Sequence, residues 1–238
     1  MTQLKKFLPA YFLLTFLLIQ TSCSVETDLL DLSEGEAVEI IEAALQDTAG
    51  GLTTNLEDMA EQLVTAITSG EICDSIYTKI IADSTQGVII QTSYSSMLTY
   101  EMTCNNFDIP QTASISSTTE SIYNSNRIES NDNGNFSGNA SGLQPSISSI
   151  DLTGNYNKTG NQELNFSEQK SINSTFTADL VTLQINKQNY NIESGNGTFS
   201  LTGSTQDAAF SYLGDITFNG GGSATLTING ITYEINLN

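Results

Sequence analysis

The sequence predicts an α+β protein that is mainly β. Two short N-terminal helices pack on a large, curved antiparallel meander, half-barrel or barrel-like, with a two-layer β-sandwich as the alternative. Three observations carry this. Two amphipathic, capped, glycine-ended stretches occupy the first third of the chain. Beyond residue 86 the composition turns to Ser, Thr, Asn and Gly, with apolar residues in alternate positions. The chain closes on "ATLTINGITYEINL", which reads as a two-residue hairpin.

The first helix is expected over 34–49. Ser33 with Glu36 three residues on forms a capping box. Val38, Ile41 and Leu45, flanked by Ala37, Ile40 and Ala44, make one apolar stripe, and Gly50–Gly51 end it. The second is expected over 55–69. Thr54 and Glu57 repeat the box, Leu56, Met59, Ala60, Leu63 and Ile67 repeat the stripe, and Gly70 stops it. Both helices carry acidic outer faces, unlike the basic helices that lie on membranes.

Strands are expected from about 76 to the end. The stretch 72–83 fits a strand or a helical face, and "DSTQG" after it reads as a turn, which favours strand. In "STFTADLVTLQI" the apolar phase slips by one residue, which predicts a β-bulge near 179–181. The stretches "SNDNGN", "NKTGN", "ESGNG" and "NGGGS" are read as turns between ten to twelve strands. Folding about Asn229-Gly230 pairs Ile228 with Ile231, Leu226 with Tyr233 and Ala224 with Ile235.

The N-terminus gives an address. Lys5 and Lys6 precede an apolar run, Phe7 to Ile19, which is shorter than the ~20 residues that span a membrane. Gln20, Thr21 and Ser22 lead to Cys23. A positive start, a short apolar core and small residues before a cut read as a secretory signal. With Cys next, "IQTSC" resembles a bacterial lipoprotein signal peptide, with Gln20 where that pattern has Leu. The resemblance implies cleavage after residue 22 and lipidation of Cys23. It also implies an outer-membrane address, because Ser24 is not the Asp that marks inner-membrane retention. Whether the protein faces the periplasm or the cell surface is left open. Residues 23–33 are then an acidic tether and 34–238 a single domain. Asp47-Thr48-Ala49, Asp74-Ser75-Ile76 and Asp83-Ser84-Thr85 resemble a short bacterial O-glycosylation sequon.

Loss of residues 1–22 leaves 5 bases against 27 acids, a net charge of −22. Such a chain repels nucleic acid, which is bound through clustered Lys and Arg. With Cys23 lipidated, Cys73 and Cys104 remain, and an oxidising envelope favours a disulfide between them. Cys104 ends an alternating strand pattern with Leu98, Tyr100 and Met102, so it is expected on the core side.

The chain has no His and no Trp, which removes His-based triads and His metal sites. No nucleophile elbow, P-loop or dinucleotide fingerprint occurs. Paired carboxylates could serve a glycosidase, but acids are too frequent here to mark a site. Glu129, Asn131, Asn133 and Gly134 imitate half an EF-hand loop, yet position twelve is Ala140, and a turn at Asp132-Asn133-Gly134 is expected instead. No catalytic residue, metal or cofactor is expected, and the protein reads as a non-enzyme.

Two functions fit. One is a surface interaction or structural lipoprotein whose polar outer face meets glycans, matrix or proteins. The alternative is a carrier of lipid or another hydrophobic ligand. Its cavity would be lined by Tyr100, Phe166, Phe199, Phe218 and Tyr233.

Overall fold

The computed structural model describes residues 32–46, 50–165 and 170–238. Cys23, Phe166 and the sequon at 47–49 lie outside the described residues. Helix α1 spans Glu34–Leu45 and α2 spans Leu52–Ser69. Ten strands follow: β1 Ile76–Gln86, β2 Gln91–Cys104, β3 Pro110–Asn124, β4 Ile128–Ser141, β5 Ser149–Leu164, β6 Lys170–Asn186, β7 Ile192–Ser204, β8 Ala209–Gly220, β9 Ser223–Ile228 and β10 Ile231–Asn236. They form one antiparallel sheet in sequence order. The sheet is open, with β1 and β10 at its edges, and a single sheet replaces the two-layer sandwich.

The capping box at α1 is present. Ser33 Oγ accepts from the Glu36 amide, and Glu36 Oε2 accepts from the Ser33 amide at 2.8 Å. Burial pushes the Glu36 carboxyl up, but the bonds from Ser33 and from Lys170 Nζ at 3.0 Å outweigh it and hold it below the usual range. Leu32 is fully buried and its carbonyl accepts from the Tyr212 hydroxyl, so core packing already begins before α1.

Helix α2 starts earlier than expected. Gly51 is its N-cap, with no side-chain cap, so the Thr54–Glu57 box does not form. The reason is burial: starting at Leu52 puts Leu52, Leu56, Met59 and Leu63 into the core. Thr54 then falls within the first turn, and Glu57 accepts from the Ile192 amide at 3.3 Å instead. Gly70 ends the helix in the left-handed conformation, φ 72°.

One face of the sheet packs under the helices and the other faces solvent, so burial alternates along β2 to β9. The last hairpin has the expected register, with Asn229 and Gly230 both at positive φ. The bulge falls at Val181, which has no partner on β7 between Leu180 and Thr182 and points outward. The disulfide joins Cys73, before β1, to Cys104 at the end of β2, with Cα atoms 5.8 Å apart. Cys104 is half-buried.

Four expected turns belong to strands, while "NGGGS" is a turn. "SNDNGN" lies inside β4, "NKTGN" inside β5 and "ESGNG" inside β7, and Asp83–Gln86 belong to β1. The asparagines fall on the wet face, where their side chains stay solvated. The glycines are required by close approach. A Cβ on Gly160 would lie 1.9 Å from Asp132 Oδ1, and one on Gly154 2.7 Å from Phe136 Cζ. The Phe199 ring covers Gly214, directly opposite it, in the same manner.

Candidate functional site

The outer face of the sheet is built by alternate residues on the strands, with the phase slipping at the Val181 bulge. A single cross-strand row runs through all ten: Thr78, Thr99, Ser116, Ser137, Asn155, Asp179, Thr198, Asp215, Thr227 and Thr232. Each is polar and none is basic. Thr78 and Thr99 share a hydrogen bond at 3.4 Å, and Asn155 Nδ2 donates to Asp179 Oδ1 at 2.6 Å. Such pairs hold side chains in fixed positions across the strands.

The described bases lie elsewhere. Lys79 pairs with Glu71 at 3.0 Å, Lys170 with Glu36 at 3.0 Å and Lys158 with Asp132 at 3.3 Å, all on the helix-covered face. Arg127, in the β3–β4 turn, pairs with Glu39. Lys187, in the β6–β7 loop, donates to the Gln144 carbonyl at 2.8 Å, and burial holds its ammonium below the usual range. The outer face therefore presents hydroxyls, amides and carboxylates and no cation among the described residues. Its field repels anions.

Two hollows open on this face. The first, about 500 Å³, has Thr99, Glu101, Ser114, Ser116, Ser137, Asn139 and Thr153 as walls, with the facing glycines 138 and 154 in its floor and Ile76 at its rim. The second, about 460 Å³, lies among Thr177, Asp179, Thr198, Ser200, Leu213 and Asp215, over Gly214. Leu213 is 65% exposed and Ile76 71%, so each hollow offers one bare aliphatic chain beside its polar groups. Volumes of this order accommodate small ligands.

The residues proposed to line a cavity sit differently. Phe199 and Phe218 are core side chains, Phe199 stacked at 6.2 Å on Phe176. Tyr100 is buried, stacked at 5.5 Å on Tyr77, and its hydroxyl donates to Glu71 at 2.6 Å. Burial first, and then that carboxylate, push the Tyr100 phenol well above its ordinary value. Tyr233 is half-buried near the β10 edge. Tyr100 touches the first hollow and Phe199 the second from beneath. The space between α1 and the sheet beside Asp132, Lys158 and Phe176 is about 10 Å³, the size of one water. Hollows of about 320 Å³ beside Glu39, Ala43, Tyr123 and Arg127 and of about 260 Å³ beside Thr53, Glu57, Ile192 and Leu237 open at the helix margins.

Two buried polar networks escaped the sequence reading. In one, Asp132 Oδ1 accepts from Gln162 Nε2 at 2.8 Å, and Gln162 Oε1 accepts from Ser174 at 2.8 Å. In the other, Asn55 of α2 donates to the Gly51 carbonyl at 2.7 Å and accepts from Thr119 at 2.6 Å and Ser96 at 3.3 Å, tying the helix to β2 and β3. The signal was strand phase: Lys158 shares its parity with Tyr156 and Leu164, so it had to face inward.

Comparison with protein-family models, curated proteins and solved structures finds no match for this chain. Among the described residues no three His, Cys, Asp or Glu side chains gather to hold a metal ion. No described helix is long and apolar enough to cross a membrane.

Proposed function

We propose that this chain is a lipid-anchored envelope protein, held at the outer membrane through Cys23. Its work is done by the outward sheet face, which contacts neutral, polyhydroxylated polymers such as surface glycans. The observation that carries the contact role is the ten-strand row of polar, cation-free side chains with its two ligand-sized hollows. Hydroxyls, amides and carboxylates together both donate to and accept from sugar hydroxyls. Ile76 and Leu213 supply the apolar contact that a sugar ring also needs. The anchor rests on the sequence pattern before Cys23 and on the acylation it implies.

The carrier reading has less support. Apolar side chains of the helices pack on the inner face, the space beside Phe176 is water-sized, and the larger hollows at the helix margins carry charged and polar groups in their walls. A sheet packed on its own helices has already used the face that a lipid would need.

Binding is tested by titrating the purified protein against a panel of soluble neutral polysaccharides. Ser116→Arg and Thr198→Arg, one in each hollow, are expected to weaken binding at least tenfold while leaving the melting temperature within a few degrees. No binding by the unaltered protein, or equal binding by both variants, overturns the contact role. Anchoring is tested separately. Radiolabelled palmitate should enter the unaltered chain and not Cys23→Ser, and an unlabelled wild type refutes the anchor.

A further inference from the structure

The two edges of the sheet are treated differently. β10 has six residues, and α1 covers its end: Glu42 accepts from the Asn236 amide at 3.2 Å and Gln46 donates to the Asn236 carbonyl at 3.4 Å. β1 has 11 residues, an unbroken register with β2, no proline and no bulge. Among the described residues no strand pairs with its other side. A long, regular, uncovered edge is a template for another strand, and proteins normally blunt it. The outer face beside it is apolar: Ile76 and Ile80 are 71% and 77% exposed, and Met97, opposite Ile80, is 49% exposed.

We propose that β1 pairs antiparallel with β1 of a second copy, about a two-fold axis through Ile81, joining two sheets into one. The sequence of the strand, IYTKIIADSTQ, selects both the partner and the register. Full overlap of Ile76–Gln86 with itself sets Ile76 opposite Gln86 and Ile81 opposite Ile81. The same register sets Lys79 opposite Asp83 twice, once on each side of the axis. It matches parity as well, so inner-face residues meet inner-face residues and outer meet outer. Moving the register by two residues either way shortens the overlap and puts Lys79 opposite Ile81 or Thr85. A two-fold interface of this kind is self-complementary, and it closes without further growth because β10 is covered.

The pairing supplies on the order of ten backbone hydrogen bonds and sets Ile80 against Ala82 of the other copy, covering part of its exposed side chain. It also has a switch in its polar contacts. Ser84 N–H donates to Asp83 Oδ1 at 2.7 Å, an edge amide capped by its neighbour. On pairing, Asp83 turns to Lys79 of the other copy, and the Ser84 amide becomes available to that copy's backbone. Lys79 is 38% exposed while it holds Glu71, so it is accessible to a second carboxylate.

The full chain in detergent, followed by light scattering across a concentration series, is expected to show a monomer–dimer equilibrium. Asp83→Lys, which leaves the Lys79–Glu71 pair intact, should raise the dissociation constant roughly tenfold, because two symmetric charge pairs become repulsive. Lys79→Asp combined with Asp83→Lys should restore it. Under mild oxidation Ile81→Cys should give a reducible covalent dimer, and Ile80→Cys at least tenfold less of it. A monomer at every concentration up to about 100 μM (a weak limit for specific association), no rescue by the charge swap, or better crosslinking at Ile80 than at Ile81 overturns the proposal.

Discussion

Replacing Lys158 by Met isolates a charge in the core. Lys158 and Asp132 are 5% and 2% exposed, with Nζ and Oδ2 3.3 Å apart. At an effective dielectric near 20, the gross attraction is roughly 5 kcal/mol. Most of it offsets the removal of both ions from water, so the pair's net contribution is small. Loss of one partner is different. Asp132 would keep only Gln162 as a neutral donor, at 2.8 Å. An uncompensated buried charge costs about 3–5 kcal/mol. For a domain of this size that lowers Tm by roughly 6–20 °C. Removing both charges, as Asp132→Asn with Lys158→Met, keeps the Gln162 bond and should return stability to within about 1 kcal/mol of wild type. Thermal and urea unfolding followed by circular dichroism measures all four corners of the cycle. If Lys158→Met costs less than about 1 kcal/mol, or the two single effects simply add in the double variant, the pair is not a coupled buried unit and the reasoning fails.

Other outcomes follow from single features. Replacing both Cys73 and Cys104 by Ser opens a 31-residue separation, worth about 3.7 kcal/mol in the chain-entropy treatment, and should be read as a lowered urea midpoint. Gly154→Ala would set a Cβ 2.6 Å from the Ser137 carbonyl oxygen and 2.8 Å from Gly138 Cα, costing roughly 2 kcal/mol in a melting experiment. Gly35→Ala, with nothing within 4 Å of the new Cβ, should be neutral or stabilising. Tyr156 Oη is buried with no hydrogen-bond partner among the described residues, and burial, then Asp132, push its phenol far up. The unfolded phenol ionises near pH 10 while the folded one stays neutral, so this stability is whole below about pH 10 and falls as pH rises above it. Tyr156→Phe should flatten the alkaline loss by about 1.4 kcal/mol per pH unit in that window.

Much of the fold was legible where a local pattern and burial point the same way. The Ser33–Glu36 box, the Gly70 cap, the Val181 bulge and the Asn229-Gly230 hairpin each combine a short-range rule with an apolar phase. The reading failed where a residue type has two meanings. Glycine and asparagine usually mark turns, yet Gly160 is needed inside β5 to admit the Asp132 carboxylate, and Asn131, Asn133 and Asn135 line the wet face of β4. Thr54 and Glu57 have capping spacing, but burying Leu52 gains more than capping at Thr54. A polar outer face was legible from the alternation, but its hollows were not, because a hollow arises from cross-strand register. Thr99, Ser116, Ser137 and Asn155 are distant in sequence and become one row only when β2 to β5 are aligned.

The decisive measurement is a carbodiimide footprint of exposed carboxylates, read by mass spectrometry with and without a saturating neutral polysaccharide. The working surface should lose reactivity at Asp179 and Asp215 beside one hollow and Glu101 beside the other, with Glu61 on α2 and Asp207 in the β7–β8 loop unchanged. Protection of the helix carboxylates instead, or no protection by any polysaccharide tried, contradicts the assignment of function to the outer sheet.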